Sequence, residues 1–188
     1  MEILRTQLPD VLLISPKVFG DERGFFLESW QIQRYAAFNI PGPKGWAQDN
    51  VSRSARGVLR GLHFQFPTLQ GKLITVLEGE IFDVAVDIRK KSPTFGKWTG
   101  HVLSAKNIQQ LWVPKGFAHG FLVMSESAVV SYKASDLYTP AEEKTLLWND
   151  PELSIQWPCD VPPQLSEKDQ QGICLSAISP SLLPEYTP

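Results

Sequence analysis

The sequence is poor in the residues that staple a fold, span a membrane or coat a polyanion. It has two cysteines, Cys159 and Cys174, both toward the C-terminal end and neither in a CxxC or Cys/His cluster. That excludes a disulfide framework or a structural zinc site as the basis of the fold, and two reduced thiols are expected. No apolar run reaches the about 18 residues that a membrane-spanning helix needs. The first residues, MEILRTQLPDVLLISP, show no basic segment ahead of a long apolar stretch. No signal peptide and no membrane association are expected, and the chain reads as cytoplasmic. Basic residues do not predominate: 18 Lys and Arg stand against 20 Asp and Glu, a net charge of −2. This argues against a general nucleic-acid binder, while a local basic pocket for a small anion stays open. Repeats and low-complexity blocks are absent, and no domain boundary shows, so residues 1–188 are expected to form one domain with its own core.

What the chain does have is many short apolar runs punctuated by 13 glycines and 15 prolines. VLLIS, GFFLESW, GVLRGLHF, KLITVLEG, EIFDVAVDIR, WTGHVLS, QQLWVP, HGFLVMS and AVVSYKA are each of strand length. In EIFDVAVDIR, Phe82, Val84, Val86 and Ile88 alternate with Asp83, Ala85 and Asp87, the period of a strand. Glu78-Gly79-Glu80 reads as a hairpin turn. Such a series predicts an all-β sandwich or barrel. Helix is expected only over 29–40, with Ser29 as its cap, and around 165–172; the tail 173–188 is expected to pack as irregular chain.

Polar residues interrupt the strands at telling places. In RGVLRGLHFQ (56–65), Arg60 and His63 sit inside an apolar run, where a cation and an imidazole gain nothing unless paired or used. Alternation puts His63 on one face with Leu59, Gly61 and Gln65. By the same rule Lys72 lies with Ile74 and Val76, His119 with Phe121 and Val123, and Tyr132 with Val130 and Ala134. If these are the inward faces of a barrel, His63, Lys72, His119 and Tyr132 converge in one apolar cavity, the usual form of a ligand site. Read one at a time, each is better explained as a satisfied core or rim residue; taken together, that explanation weakens. Arg60 falls on the opposite face, unless a bulge at Gly61 re-aims it. The third histidine, His101, reads as a surface-strand residue.

LWVPKGFAHGFLV resembles the second motif of the cupin barrel. The first motif of metal-binding cupins carries His-x-His and a following Glu; the matching positions here hold His63, Gln65 and Gln70. Glutamine is a poor ligand for a transition metal, and two histidines make an incomplete site, so the barrel is expected without a metal.

Taken together, DERGFFLESW, QDNVSRSARGVLRGLHFQ, GKLITVLEGEIFDVAVDIRKKSPTFGKW, LWVPKGFAHGFLV, SYKASDLYTPAEEKTLLWNDPELSIQWP and LSEKD resemble the dTDP-4-dehydrorhamnose 3,5-epimerases, in that family's order and over most of the chain. The match weakens after Asp169 and at Lys144 to Leu146. The resemblance implies a cupin-like jelly-roll β-barrel with a few short helices. It also implies a cofactor-free homodimer whose sites are completed by the partner's N-terminal segment, and a reaction on dTDP-4-keto-6-deoxy-D-glucose in which carbons 3 and 5 are inverted. The 4-keto group acidifies both carbons, so the enzyme needs a base, an acid opposite it, a cation for the enolate oxygen and a grip on the nucleotide diphosphate. The resemblance assigns these to His63 as base with Asp169 as its partner, Tyr132 as acid and Lys72 as enolate clamp. Arg23 and Arg60 would grip the diphosphate, and Tyr138 would stack on thymine. Glu28, Gln48, Asp49, Asn50, His119, Glu143 and Lys168 would line the substrate site, with Arg23 and Glu28 acting in trans. Two other readings share most of the motifs, an epimerase of one carbon only and a ketoisomerase of a related dTDP-sugar; a third, a non-catalytic nucleotide-sugar-binding cupin, would have no need of His63, Asp169, Lys72 and Tyr132 together.

Overall fold

The fold is known from a computed structural model, which describes residues 1–42 and 44–187. Thirteen strands form among them. The larger sheet has six strands: β1 (Glu2–Arg5), β2 (Leu12–Ser15), β5 (Gln48–Ala55), β7 (Lys72–Glu78), β10 (Gln110–Val113) and β12 (Ser127–Ala134), in the order β1-β2-β10-β7-β12-β5. The smaller has five: β6 (Leu59–Gln65), β8 (Glu80–Asp87), β9 (Trp98–Ser104), β11 (Phe117–Val123) and β13 (Glu143–Thr145), in the order β13-β6-β11-β8-β9. A separate hairpin, β3 (Val18–Asp21) with β4 (Gly24–Leu27), stands apart from both sheets. Every pairing within the sheets is antiparallel, and the two sheets close on each other as a cupin-like jelly roll.

Three apolar clusters hold this arrangement. Between the sheets, Ile74, Val76, Leu111, Val113 and Val130 of the larger meet Ile81, Ala85, Leu103, Phe121 and Val123 of the smaller. On the outside of the smaller sheet, Leu62, Val84, Val86 and Ile88 are covered by Leu146, Leu153, Ile155 and, from the tail, Leu175, Ile178 and Leu183. On the outside of the larger, Leu12, Ile14, Leu73 and Trp112 receive Tyr35 and Ile40. β8 is thus buried on both faces, and its charged inward residues need partners. Asp83 accepts from His119 Nε2 at 2.9 Å. Asp87 takes hydrogen bonds from Arg89, Ser92 and Thr94. Arg89 in turn lies 4.3 Å from the Phe117 ring centroid and 4.9 Å from that of Tyr186, which ties the tail to the barrel.

Three local expectations are corrected, and the second helix falls where it is expected. Gly79 does not close a hairpin: β7 pairs with β10 and β12, whereas β8 pairs with β9 and β11, so the turn carries the chain from one sheet to the other. It requires glycine, because φ is +78° and a Cβ would sit 2.0 Å from the Ser127 carbonyl oxygen. The first helix is α1 (Ile32–Ala36), capped by the Gln31 side chain rather than by Ser29. The Ser29 carbonyl is instead held by Tyr35 Oη and by Gln110 Nε2. The second helix is α2 (Glu167–Gln170), one turn capped by Ser166. His101 is half-buried rather than superficial: it lies opposite Asp83 on β9, bonds the Thr99 hydroxyl at 3.0 Å, and burial pushes its pKa down.

Candidate active site

A cavity of about 350 Å³ opens between the two sheets. Its walls have distinct chemistry. The smaller sheet contributes Arg60, His63 and His119; the larger contributes Gln48, Asn50, Lys72 and Tyr132; Tyr138, Glu143 and Lys168 stand at its rim. A larger cavity of about 750 Å³ lies elsewhere, around Arg5, Phe38 and Trp112, and brings together no comparable acid–base set.

The strand parity problem of Arg60 is resolved by a bulge. Along β6 and β11, His63 faces His119 but Arg60 faces Phe121, so Gly61 and Leu62 together oppose the single residue Gly120. One extra residue flips the alternation, which puts Arg60 and His63 on the same wall. The peptide between Gly61 and Leu62 is cis. Only glycine fits on either side: at Gly61, where φ is +115°, a Cβ would lie 2.6 Å from Gly120 Cα, and at Gly120 it would lie 2.6 Å from the Arg60 carbonyl oxygen. Gly61→Ala is therefore expected to cost about 3 kcal/mol, from φ strain and backbone overlap together. A urea midpoint equal to that of the native chain would contradict this geometry.

His63 is held by a carboxylate from outside its sheet. Its Nε2 lies 2.5 Å from Asp169 Oδ1 on α2. Asp169 Oδ2 accepts from the Ser166 hydroxyl at 2.8 Å, and the carboxylate also accepts from the Gly61 amide within the bulge. Burial pushes the Asp169 carboxyl up, but the bonds from His63, Ser166 and Gly61 outweigh it and hold the group below the usual range. An ionised carboxylate only accepts, so Nε2 carries the proton and Nδ1 is left as the basic nitrogen. Nδ1 lies 3.9 Å from Glu143 Oε1. The other Glu143 oxygen accepts from Lys168 Nζ at 2.6 Å and from Tyr138 Oη at 2.8 Å.

Lys72 and Tyr132 supply the opposite wall. Burial pushes the Lys72 ammonium down to about 8, with Glu143 and Asp83 pulling partly the other way. It remains mostly charged at neutral pH and is only weakly solvated. Burial likewise raises Tyr132, which keeps the phenol protonated.

Not every expected residue lines this cavity. Asp49 is placed elsewhere: on β5 the pleat turns Gln48 and Asn50 inward and Asp49 outward, where it pairs with Lys133 at 2.8 Å. Arg23 is on the exposed hairpin with its side chain 90% accessible and bonded to Asp21, and Glu28 is paired with Arg34. Both lie outside the cavity formed by this chain. Conversely, the sequence reading did not single out Ser166, Asp83 or Ser52. Ser52 Oγ is buried at the cavity wall, without a hydrogen-bond partner among the described residues. For Asp83 there was a usable signal, an acid at an inward position of an apolar strand.

The donors that a metal-binding cupin would use are committed otherwise. His63 and His119 each give Nε2 to a carboxylate, and the Gln65 and Gln70 amides bond backbone carbonyls.

Comparison with known proteins agrees with this picture. The sequence profile of the dTDP-4-dehydrorhamnose 3,5-epimerase family matches residues 5–177. A protein of that name from Pseudomonas aeruginosa is 55% identical over 172 residues, 92% of this chain and 94% of its own. One from Salmonella typhimurium is 54% identical over 170 residues, 90% and 92% of the two chains. The crystal structure of dTDP-6-deoxy-D-glucose-3,5-epimerase from Legionella pneumophila, in complex with dTDP-4-keto-L-rhamnose, superposes with a TM-score of 0.97 at 50% identity, covering 100% of this chain and 99% of that one. With a profile match over nearly its whole length, relatives above half identity and the same barrel, the chain belongs to the dTDP-4-dehydrorhamnose 3,5-epimerase family.

Proposed function

We propose that the protein inverts carbons 3 and 5 of dTDP-4-keto-6-deoxy-D-glucose to give dTDP-4-keto-L-rhamnose, by acid–base chemistry. The observation that carries this is the placement of a carboxylate-backed imidazole and a protonated phenol on opposite walls of one cavity, with a buried ammonium beside the phenol. Inversion needs a proton to leave one face of a carbon and another to return to the opposite face.

His63 Nδ1 removes the proton from the carbon beside the ketone. The C–H electron pair becomes a C=C bond to the carbonyl carbon, and the carbonyl π pair moves onto the oxygen to give the enolate. Asp169 stabilises the imidazolium that forms. The Lys72 ammonium meets the oxygen charge as it develops, in a site where little water competes. Tyr132 gives its phenolic proton to the same carbon from the other wall; the imidazolium then releases its proton to solvent and the phenolate takes one from solvent before the second inversion. Arg60, oriented by its Nε bond to Ser54 Oγ at 3.0 Å, faces the diphosphate. Tyr138, 46% exposed at the rim, offers its ring to thymine.

The working unit in this reading is a homodimer. Phe19, Phe25 and Phe26 on the β3–β4 hairpin are 50%, 65% and 67% exposed, and Val51 and Leu77 on the larger sheet are 68% and 57% exposed. Apolar area of this kind is normally covered. A hairpin reaching across to a second copy would cover it and bring Arg23 and Glu28 to the partner's cavity. No helix among the described residues is long and apolar enough to cross a membrane, and the cytoplasm is where such a nucleotide sugar would be met. The proposal is tested by incubating the protein with dTDP-4-keto-6-deoxy-D-glucose in deuterated water and reading the product by NMR. Inversion and label at carbons 3 and 5 are expected. Label at one carbon only would make it a single-carbon epimerase, and no exchange would leave a binding protein.

A further inference from the structure

Gln65 and Gln70 stand where metal-binding cupins carry ligands, and proton transfer gives them no task. Gln65 is 4% exposed, and a buried amide needs all its partners. Its Nε2 donates to the Leu137 carbonyl at 3.1 Å and the Thr68 carbonyl at 2.9 Å, and its Oε1 accepts from the Thr139 amide at 2.8 Å. Gln70 Nε2 donates to the Asp136 carbonyl at 2.7 Å. Gln48, on the far strand β5, accepts from the Tyr138 amide at 2.9 Å. All four residues of the segment 136–139 are therefore held through their backbone by a glutamine side chain, from three directions. The segment carries Leu137 and Tyr138, which are 64% and 46% exposed and cannot hold themselves in place by burial.

We infer that Gln65, Gln70 and Gln48 are positioning residues that fix the 136–139 segment, so that the Tyr138 ring stands ready as a platform for the nucleobase. This rests on the reading of Tyr138 as the surface that meets thymine. A rim loop free to move would have to be ordered on binding, which costs conformational entropy for each residue fixed. Clamping the backbone removes that cost beforehand. It also explains the amide at position 65: Gln65 both donates to carbonyls and accepts from an N–H, which an imidazole or a carboxylate does not supply together on one side, while Gln70 uses its donor alone.

The clamp acts on nucleotide affinity rather than on proton transfer, and that separates it from general structural support. Gln65→Met keeps the side-chain length and removes the bonds. Calorimetric titration with dTDP is expected to show binding weakened about tenfold, the order of one lost base–aromatic stack. kcat at saturating substrate should stay within about twofold, since no group of the proton pathway is touched. In a Tyr138→Ala background the same substitution should have no further effect on dTDP binding. Gln70→Met, which breaks one bond at a half-buried site, serves if Gln65→Met folds poorly. Unchanged dTDP affinity, or a full loss that persists without Tyr138, would overturn the inference. Amide hydrogen exchange reads the clamp without ligand: Thr139 should exchange at least about tenfold faster in Gln65→Met than in the native chain, and equal protection would overturn it. A native chain that fails to bind dTDP contradicts the proposed function instead, and the exchange measurement still decides the clamp.

Discussion

His63→Asn is expected to reduce epimerisation by about 10²–10⁴-fold, the range that a positioned acid–base group contributes. Asparagine keeps a hydrogen-bonding side chain opposite Asp169 but has no basic nitrogen to take a proton from carbon. The variant should stay folded, because His63 is only partly buried at the cavity wall and makes its main bond to one surface helix. Activity of the native level with native thermal unfolding would remove His63 as the base. Asp169→Asn is the companion measurement. It leaves the imidazole present but without a carboxylate, so the loss should be smaller than for His63→Asn.

Lys72→Met is expected to lower kcat by about 10²–10³-fold, the usual effect of removing one donor to a developing oxyanion. Burial, which depresses the ammonium, also leaves its charge poorly shielded, and so effective. The same shift gives a pH signature. Lys72 is cationic below its pKa of about 8 and neutral above it. The contribution of the clamp to kcat/KM is therefore present at neutral pH and falls as pH rises through about 8. Lys72→Arg keeps the charge throughout this range and should lose that alkaline limb, whatever it does to the plateau. An alkaline limb unchanged in Lys72→Arg would assign the titration to another group.

The fold and most of the site were legible because they depend on alternation and on a few residues out of place. Short alternating runs implied an all-β sandwich or barrel, and parity brought His63, Lys72, His119 and Tyr132 to one cavity on the condition that their faces point inward, as they do. What stayed hidden lay where the period breaks or where chain distant in sequence returns. Arg60 appeared on the wrong face because a single inserted residue at Gly61 and Leu62 reverses the pleat; only the glycine hinted at it. Gly79 looked like a hairpin because local turn chemistry does not reveal which sheet the next strand joins. Asp169 sits in a one-turn helix about a hundred residues from its imidazole, and nothing in EKDQ distinguishes a buried acid from a solvated one. Resemblance, not patterning, pointed to it. Asp49 was carried with its neighbours as a block, and the pleat separates it from them.

In the proposed reaction protons leave and return at both carbons flanking the ketone, with His63 and Tyr132 on opposite walls of one cavity. Solvent exchange tests it most directly. Turnover of dTDP-4-keto-6-deoxy-D-glucose in deuterated water should place one deuterium on carbon 3 and one on carbon 5 of the inverted product, and His63→Asn should place none on either. Inverted product that retains its original protons at both carbons would contradict it, because the inversion would then proceed without the proton exchange that this cavity is arranged to perform.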